Sequence, residues 1–236
     1  MNDGNFRKTV LHYGQNQKGG LRVKFTVFLF LLPLWGAIFT LYFEAKRQRT
    51  RNSELVLKCA GTFLAVLSAG LGFSVSGDFP LAQPLFWFFL LCMLADLLLE
   101  LQFLVGMLVF AGAHAFAIWA MARENFLSVP WTLPVWAVLV VFGCVLFRQE
   151  LARMKAKAVP FVLYFAILAA AAACALPAVF VGGQVDCLFW TVGFVFFFCS
   201  DLLVAKSALS HLDPKWEKPT MLLYWGALLL ISLWVW

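Results

Sequence analysis

The chain alternates long apolar runs with short polar connections. Eight runs are each close to the roughly 20 residues that a helix needs to cross a bilayer. They do not alternate in polarity from residue to residue, so they predict helices and not the strands of a membrane barrel. The predicted spans are residues 25–43, 55–73, 84–101, 103–121, 131–147, 158–181, 187–205 and 219–236. Only Gln102 separates the third run from the fourth, which predicts a tight turn there.

Composition supports a membrane location. Hydrophobic residues make up 63% of the 236 residues and charged residues 13%, and the mean hydropathy is +0.88. A soluble domain is nearer half apolar and a quarter charged. We therefore predict an all-α fold, a polytopic membrane helix bundle with about eight transmembrane helices. In this interpretation residues 1–24 are a polar, basic N-terminal tail, and residues 25–236 are a single transmembrane domain.

The distribution of charge indicates an orientation. The net charge is +6, and the loops after spans one, five and seven carry eleven Lys and Arg residues, against Arg123 alone in the opposite loops. Loops rich in Lys and Arg usually stay on the cytoplasmic side of a membrane, which predicts that this basic face is cytoplasmic. If the chain is bacterial, the membrane is the inner membrane. Five basic residues in the tail oppose that orientation. The pattern favours membrane lipids as partners, and not nucleic acid.

Two aspartates lie inside apolar runs, where an ionised carboxylate costs at least a few kcal/mol. Asp96 is near the end of span three and Asp201 near the end of span seven. These spans run in the same direction, so the two acids are predicted to lie at the same depth, toward the basic face. One interpretation is packing through hydrogen bonds between helices. The other, favoured by the matched depth, is a catalytic group or a proton relay.

Other polar residues are predicted to lie near these acids. Lys58, Tyr164 and Tyr224 are near the starts of spans two, six and eight, and therefore also toward the basic face. Lys58 either holds a carboxylate ionised or extends its ammonium to the interface. Glu100 is four residues after Asp96 on the same helical face, either as a partner or as a solvated end group.

The sequence carries no pattern typical of a cofactor site. It contains no HxxxH or HExxH pair, no GxSxG turn and no glycine-rich phosphate loop. We therefore predict neither a metal nor a cofactor. His114 is the one histidine inside a span, deeper than the aspartates, and is either a satisfied core residue or a functional group. Asp-Leu-Leu recurs at Asp96 and Asp201, but no longer match supports an internal duplication.

Short motifs occur in a fixed order along the spans. ADLLL at 95–99 precedes GMLVFAGAH at 106–114, and GFVFFFCSD follows at 193–201. Together with Lys58, Tyr164 and Tyr224, these motifs resemble the eight-span lysoplasmalogenases, the YhhN-like family, over nearly the whole chain. The chain departs from the family at Ala95, Cys59 and Leu228, where the family has glycine, proline and glutamine. The missing glutamine leaves the headgroup contacts open.

The resemblance implies a hydrolase that cleaves the vinyl ether bond of a lysoplasmalogen, giving a fatty aldehyde and glycerophosphoethanolamine or glycerophosphocholine. A vinyl ether breaks down by protonation at carbon, and water then attacks the oxocarbenium ion. Glycosidases meet a similar demand with two carboxylates. The implied acid–base pair is Asp96 and Asp201, with His114 positioning water or substrate. The implied substrate-binding residues are Lys58, Tyr164 and Tyr224, and the implied substrate is a lysophospholipid. The reaction needs no cofactor.

Three other functions use the same residues. A multi-pass transporter or proton-coupled carrier would use the buried acids as relays. A metal-dependent membrane hydrolase would need more histidines than the three present. A non-enzymatic membrane protein would use the acids only for packing. Headgroup preference and oligomeric state stay open at this stage.

Overall fold

The computed structural model describes residues 3–76, 79–123, 130–155, 158–176, 185–210 and 212–236. Side chains are described from Arg22 onward, except at 76, 79–82 and 185–187. The helices are α1 (Asp3–Arg47), α2 (Arg51–Ser76), α3 (Phe79–Leu101), α4 (Phe103–Arg123), α5 (Thr132–Leu146), α6 (Arg148–Met154), α7 (Ala158–Ala175), α8 (Val185–Ser210) and α9 (Glu217–Ser232). Short 3-10 turns cover Pro214–Trp216 and Leu233–Val235.

The chain is an integral, multi-pass membrane protein. Within the described ranges, seven helices are long and apolar enough to cross a membrane, and α5 with α6 makes an eighth if the bent pair is one span. The described residues form helices and turns without a strand. The prediction of an all-α bundle with about eight spans is therefore confirmed.

Two predicted spans differ from the structure at their ends. The fifth, predicted at 131–147, is helical only over Thr132–Leu146, and the axis then bends by 72° into α6. The sixth, predicted at 158–181, ends its helix at Ala175, and residues 177–181 lie outside the described residues. Hydropathy alone does not locate these ends, because both apolar runs continue past the last helical residue.

The first helix is longer than its apolar run. α1 is continuous from Asp3, and its candidate span is Arg22–Arg47. The backbone of residues 3–21 is therefore helical and leads directly into the first span. The division into a tail and one membrane domain stays a prediction.

The turn between α3 and α4 is as tight as predicted. Gln102 alone is non-helical, and its N–H donates to the carbonyl oxygen of Leu98 at 2.6 Å. Gly106 then packs against the preceding helix, since a Cβ there would lie 2.4 Å from the backbone nitrogen of Leu99. Because only glycine fits this approach, α4 folds back closely along α3.

A second glycine brings α2 against α9. A Cβ on Gly61 would lie 2.4 Å from the indole ring of Trp225. The neighbouring residues Thr62 and Tyr224 are thereby held on facing sides of the two helices. Around them, aromatic side chains fill the core of the bundle: Phe88, Phe89, Phe110, Trp190, Phe194 and Phe197 are all buried.

The short helix α6 is fixed to the end of α8 by a polar cluster. The ammonium of Lys206 lies 2.5 Å from Glu150 Oε1, and the hydroxyl of Ser210 donates to the same oxygen. These two donors stabilise the ionised form of the Glu150 carboxylate. The cluster therefore places α6 at the same end of the bundle as the end of α8.

Candidate active site

A pocket of about 590 Å³ opens between the helices toward the basic face, and we call it the inner pocket. The residues predicted to converge there do so: Lys58, Asp96, Tyr164, Asp201 and Tyr224 all line it. They come from α2, α3, α7, α8 and α9, so five separate helices supply its polar wall. The remaining wall is formed by Leu99, Phe103, Met107, Phe110, Phe161, Ser200, Val204, Ala205, Thr220 and Met221.

Asp96 is held by three donors and is only 1% exposed. Its Oδ2 accepts hydrogen bonds from the hydroxyl of Thr62 at 2.6 Å and from the phenol of Tyr224 at 2.8 Å. The ammonium of Lys58 lies 3.7 Å from its Oδ1. A buried carboxylate with a cation and two hydroxyl donors has the partners that an ionised group needs.

Asp201 has a different environment. It is 8% exposed, and its Oδ2 accepts a hydrogen bond from the phenol of Tyr164. No ion pair of Asp201 occurs among the described side chains. The adjacent Ser200 does not form a dyad with it, because its hydroxyl donates to the carbonyl oxygen of Thr220 at 3.1 Å. The two aspartates thus share one pocket but not one set of partners.

Lys58 both pairs with a buried carboxylate and extends toward the surface, the two roles that the sequence left open. Its ammonium lies 3.7 Å from Asp96 and 3.4 Å from Glu100 Oε1, and its side chain is 14% exposed. Glu100 is 48% exposed and is therefore at once a partner of Lys58 and partly solvated. Lys58 links the buried carboxylate to the surface of the basic face.

His114 lies behind the wall of the inner pocket. Its ring is fully buried, with its centroid 4.8 Å from that of Phe197 and 6.3 Å from that of Tyr164. Its Nδ1 lies 2.8 Å from the carbonyl oxygen of Phe110, which can only accept, so Nδ1 carries the proton. Its Nε2 has no hydrogen-bond partner among the described residues. His114 therefore packs behind the wall and does not line the pocket, and its role in positioning water or substrate stays a prediction.

Sequence reasoning missed the hydroxyls that complete the site. Thr62 bonds Asp96 directly, and Thr220 lines the pocket on the side of α9. Thr62 is four residues after Lys58, so it shares the face of α2 that points toward the site, and this spacing was a usable signal. Thr220 carried no comparable signal, because it lies at a span end where hydroxyl residues are common.

Among the described residues, no group of three or more His, Cys, Asp or Glu side chains could hold a metal ion. The polar groups of the inner pocket are instead two carboxylates, one ammonium, and phenol and aliphatic hydroxyls. Such a set can donate a proton, accept one, and stabilise a cation that forms between the carboxylates.

The model of the YhhN family matches residues 53–235 of the chain. The match runs from the first turn of α2 to the 3-10 turn after α9, so it includes all five helices that line the polar wall. No curated protein and no solved structure matches the chain.

Proposed function

The chain belongs to the YhhN family, and from this premise we propose that it is a membrane hydrolase acting on the vinyl ether bond of lysoplasmalogens. The observation that supports the proposal most is the pairing of Asp96 and Asp201 in one largely apolar pocket. The apolar wall suits an alkenyl chain, and the opening toward the basic face suits a phosphate-bearing headgroup. A substrate with one hydrocarbon chain fits a pocket of this kind better than a two-chain lipid.

The proposed reaction needs one proton donor and one proton acceptor. A carboxylic acid protonates the alkene carbon that is remote from oxygen, which leaves an oxocarbenium ion. Water attacks the carbon bonded to oxygen while the second carboxylate takes its proton. The hemiacetal then collapses to a fatty aldehyde and the free hydroxyl of the glycerol, so that one water is consumed and no proton is gained or lost.

The different partners of the two aspartates suggest how they divide these steps. Asp96, beside Lys58 and two hydroxyl donors, suits the ionised role that stabilises the cation and accepts the proton of water. Asp201, whose only hydrogen-bond partner among the described side chains is Tyr164, suits the protonated role that begins the reaction. Two carboxyls with unlike surroundings at one site are the usual means of running acid and base chemistry together.

Asp96→Asn and Asp201→Asn test the proposal. General acid–base groups typically contribute about 10²–10⁴-fold to rate, so each variant should lose aldehyde release by at least about 100-fold. The measurement is aldehyde formed by purified protein from a lysoplasmenyl-ethanolamine, beside the matched acyl lysolipid, which should yield no aldehyde.

Glu44→Gln is the matched control, because Glu44 is partly exposed on α1 and bonds only its helical neighbours Arg47 and Gln48. Its activity should equal that of the wild type. A folded Asp96→Asn or Asp201→Asn protein that released aldehyde at a near-normal rate would refute the assigned acid–base pair.

A further inference from the structure

A second pocket, which we call the outer pocket, continues the inner one toward the basic face. It occupies about 820 Å³ and shares with the inner pocket a band of lining residues from α2, α3, α4, α8 and α9. These shared residues are Lys58, Leu99, Phe103, Val204, Thr220 and Met221. The two pockets therefore adjoin at this band, and the outward route from Asp96 and Asp201 leads past Lys58.

The outer pocket is lined by charges of both signs, among them two ion pairs. Lys46 at the end of α1 pairs with Glu217 at the start of α9, Nζ to Oε2 at 3.0 Å. Lys58 pairs with Glu100 at 3.4 Å. The side chains of Lys46 and Glu217 are 35% and 40% exposed, so both remain open to a ligand. Two cations with a carboxylate beside each make a surface complementary to a zwitterion.

We infer that the outer pocket is a headgroup subsite selective for a phosphate ester that ends in a primary ammonium, an inference that rests on the proposed function. The phosphate lies between the ammonium groups of Lys58 and Lys46. The terminal ammonium replaces Lys46 as the partner of Glu217. In a lysoplasmalogen the three-carbon glycerol spans the shared band between the vinyl ether and this phosphate.

A primary ammonium fits this site better than a quaternary one. Its N–H groups form charge-assisted hydrogen bonds with a carboxylate, which a trimethylammonium group cannot form. Quaternary ammonium groups are instead recognised by cages of several aromatic faces. Tyr42 and Trp216 line the outer pocket, but the ammonium of Lys46 already lies 6.0 Å from the ring centroid of Tyr42. Trp216 alone is not a cage.

Binding of non-cleavable ligands tests the subsite without relying on catalysis. Purified full-length protein in detergent is titrated calorimetrically with 1-O-alkyl-glycerophosphoethanolamine and with its choline counterpart, both of which lack the vinyl bond. The wild type should bind the ethanolamine ligand about tenfold more tightly, the effect of one good charge-assisted hydrogen bond. Glu217→Gln should abolish this preference by weakening only the ethanolamine ligand.

Two further variants separate the roles within the subsite. Lys46→Gln removes a phosphate contact and also the ammonium that competes for Glu217. It should therefore weaken the choline ligand more than the ethanolamine ligand and raise the ratio of the two affinities. Glu44→Gln, two residues away on α1 and outside the lining of the outer pocket, should bind both ligands as the wild type does. If Glu217→Gln does not fold, Glu217→Asp is the substitute, and its shorter side chain should reduce the same ratio.

Equal binding of the two ligands by the wild type, or a preference that survives the substitution of Glu217, would overturn the subsite. Aldehyde release measured on the same preparation keeps the two proposals apart. Hydrolysis without headgroup preference refutes the subsite alone. An ethanolamine preference that depends on Glu217, with no aldehyde released from a lysoplasmenyl lipid, supports the subsite and refutes vinyl ether hydrolysis.

Discussion

At the scale of single residues, the site depends on hydroxyl groups that orient its carboxylates. Thr62 and Tyr224 both donate to Asp96 Oδ2, and the Oδ1 atom faces Lys58. This arrangement restrains the orientation of the carboxylate, which lines the inner pocket. Thr62 does not line that pocket and is therefore a positioning residue.

Thr62→Val keeps the shape of the side chain and removes its hydroxyl. Loss of a hydrogen bond to a charged group costs about 1.5–3 kcal/mol, so kcat for aldehyde release should fall at least about tenfold, with KM nearly unchanged. Thr62→Ser restores the donor and should recover most of the rate. Steady-state kinetics of both variants provide the measurement, and a serine variant as slow as the valine variant would contradict the role assigned to the hydroxyl.

The charged residues inside spans and their tyrosine partners could be predicted from the sequence, whereas Thr62 is marked only by its four-residue spacing from Lys58. Asp96 and Asp201 stand out because a carboxyl in an apolar run needs an explanation. Thr62 does not, because a threonine costs little in a membrane helix and usually bonds its own backbone. Glu150 was missed for a related reason: near the end of a span it resembles a solvated charge, although it is buried against Lys206.

At the scale of the helices, glycines decide how closely neighbours pack. The approach at Gly106 is against backbone atoms of Leu99, which cannot move aside without shifting α3. Since Asp96 lies on α3 and Phe110 on α4, a change in this packing alters the inner pocket as well as the stability of the bundle. The helix pair was predictable from the apolar runs, but the need for glycine at 106 is visible only in three dimensions.

Gly106→Ala should destabilise the protein by about 1–3 kcal/mol, the usual cost of overpacking. Gly112→Ala on the same helix is the matched control, because its Cβ would meet only Leu91 Cδ1 at an ordinary 3.9 Å. The control should be neutral or slightly stabilising, as alanine favours a helix over glycine. Thermal unfolding in detergent compares the two, and equal melting temperatures would contradict the packing argument.

At the scale of the whole molecule, the position of α6 indicates that α5 runs from one end of the bundle to the other. α6 follows α5 and bonds Lys206 at the end of α8. α8 and α3 place their aspartates in the same pocket, which puts α6 at the basic face. α4 begins at that face and leads to Arg123 at the other, from where α5 returns. This interpretation gives eight crossings, as the apolar runs predicted.

An epitope inserted into the full-length chain tests the orientation of these crossings. A tag after Arg49 should be hidden from antibody in intact cells and exposed after permeabilisation, because basic loops stay on the cytoplasmic side. A tag between α4 and α5 should be accessible in intact cells. The reverse pattern would show that the basic N-terminal segment, and not the loops, sets the orientation.

The fifth helix has one more consequence. Its 15 residues extend about 22 Å, while the hydrocarbon layer of a bilayer is about 30 Å thick. Lipids next to so short a crossing are compressed unless flanking side chains or another chain fill the gap. We therefore expect the bilayer to be thinner beside α5 than beside the longer helices.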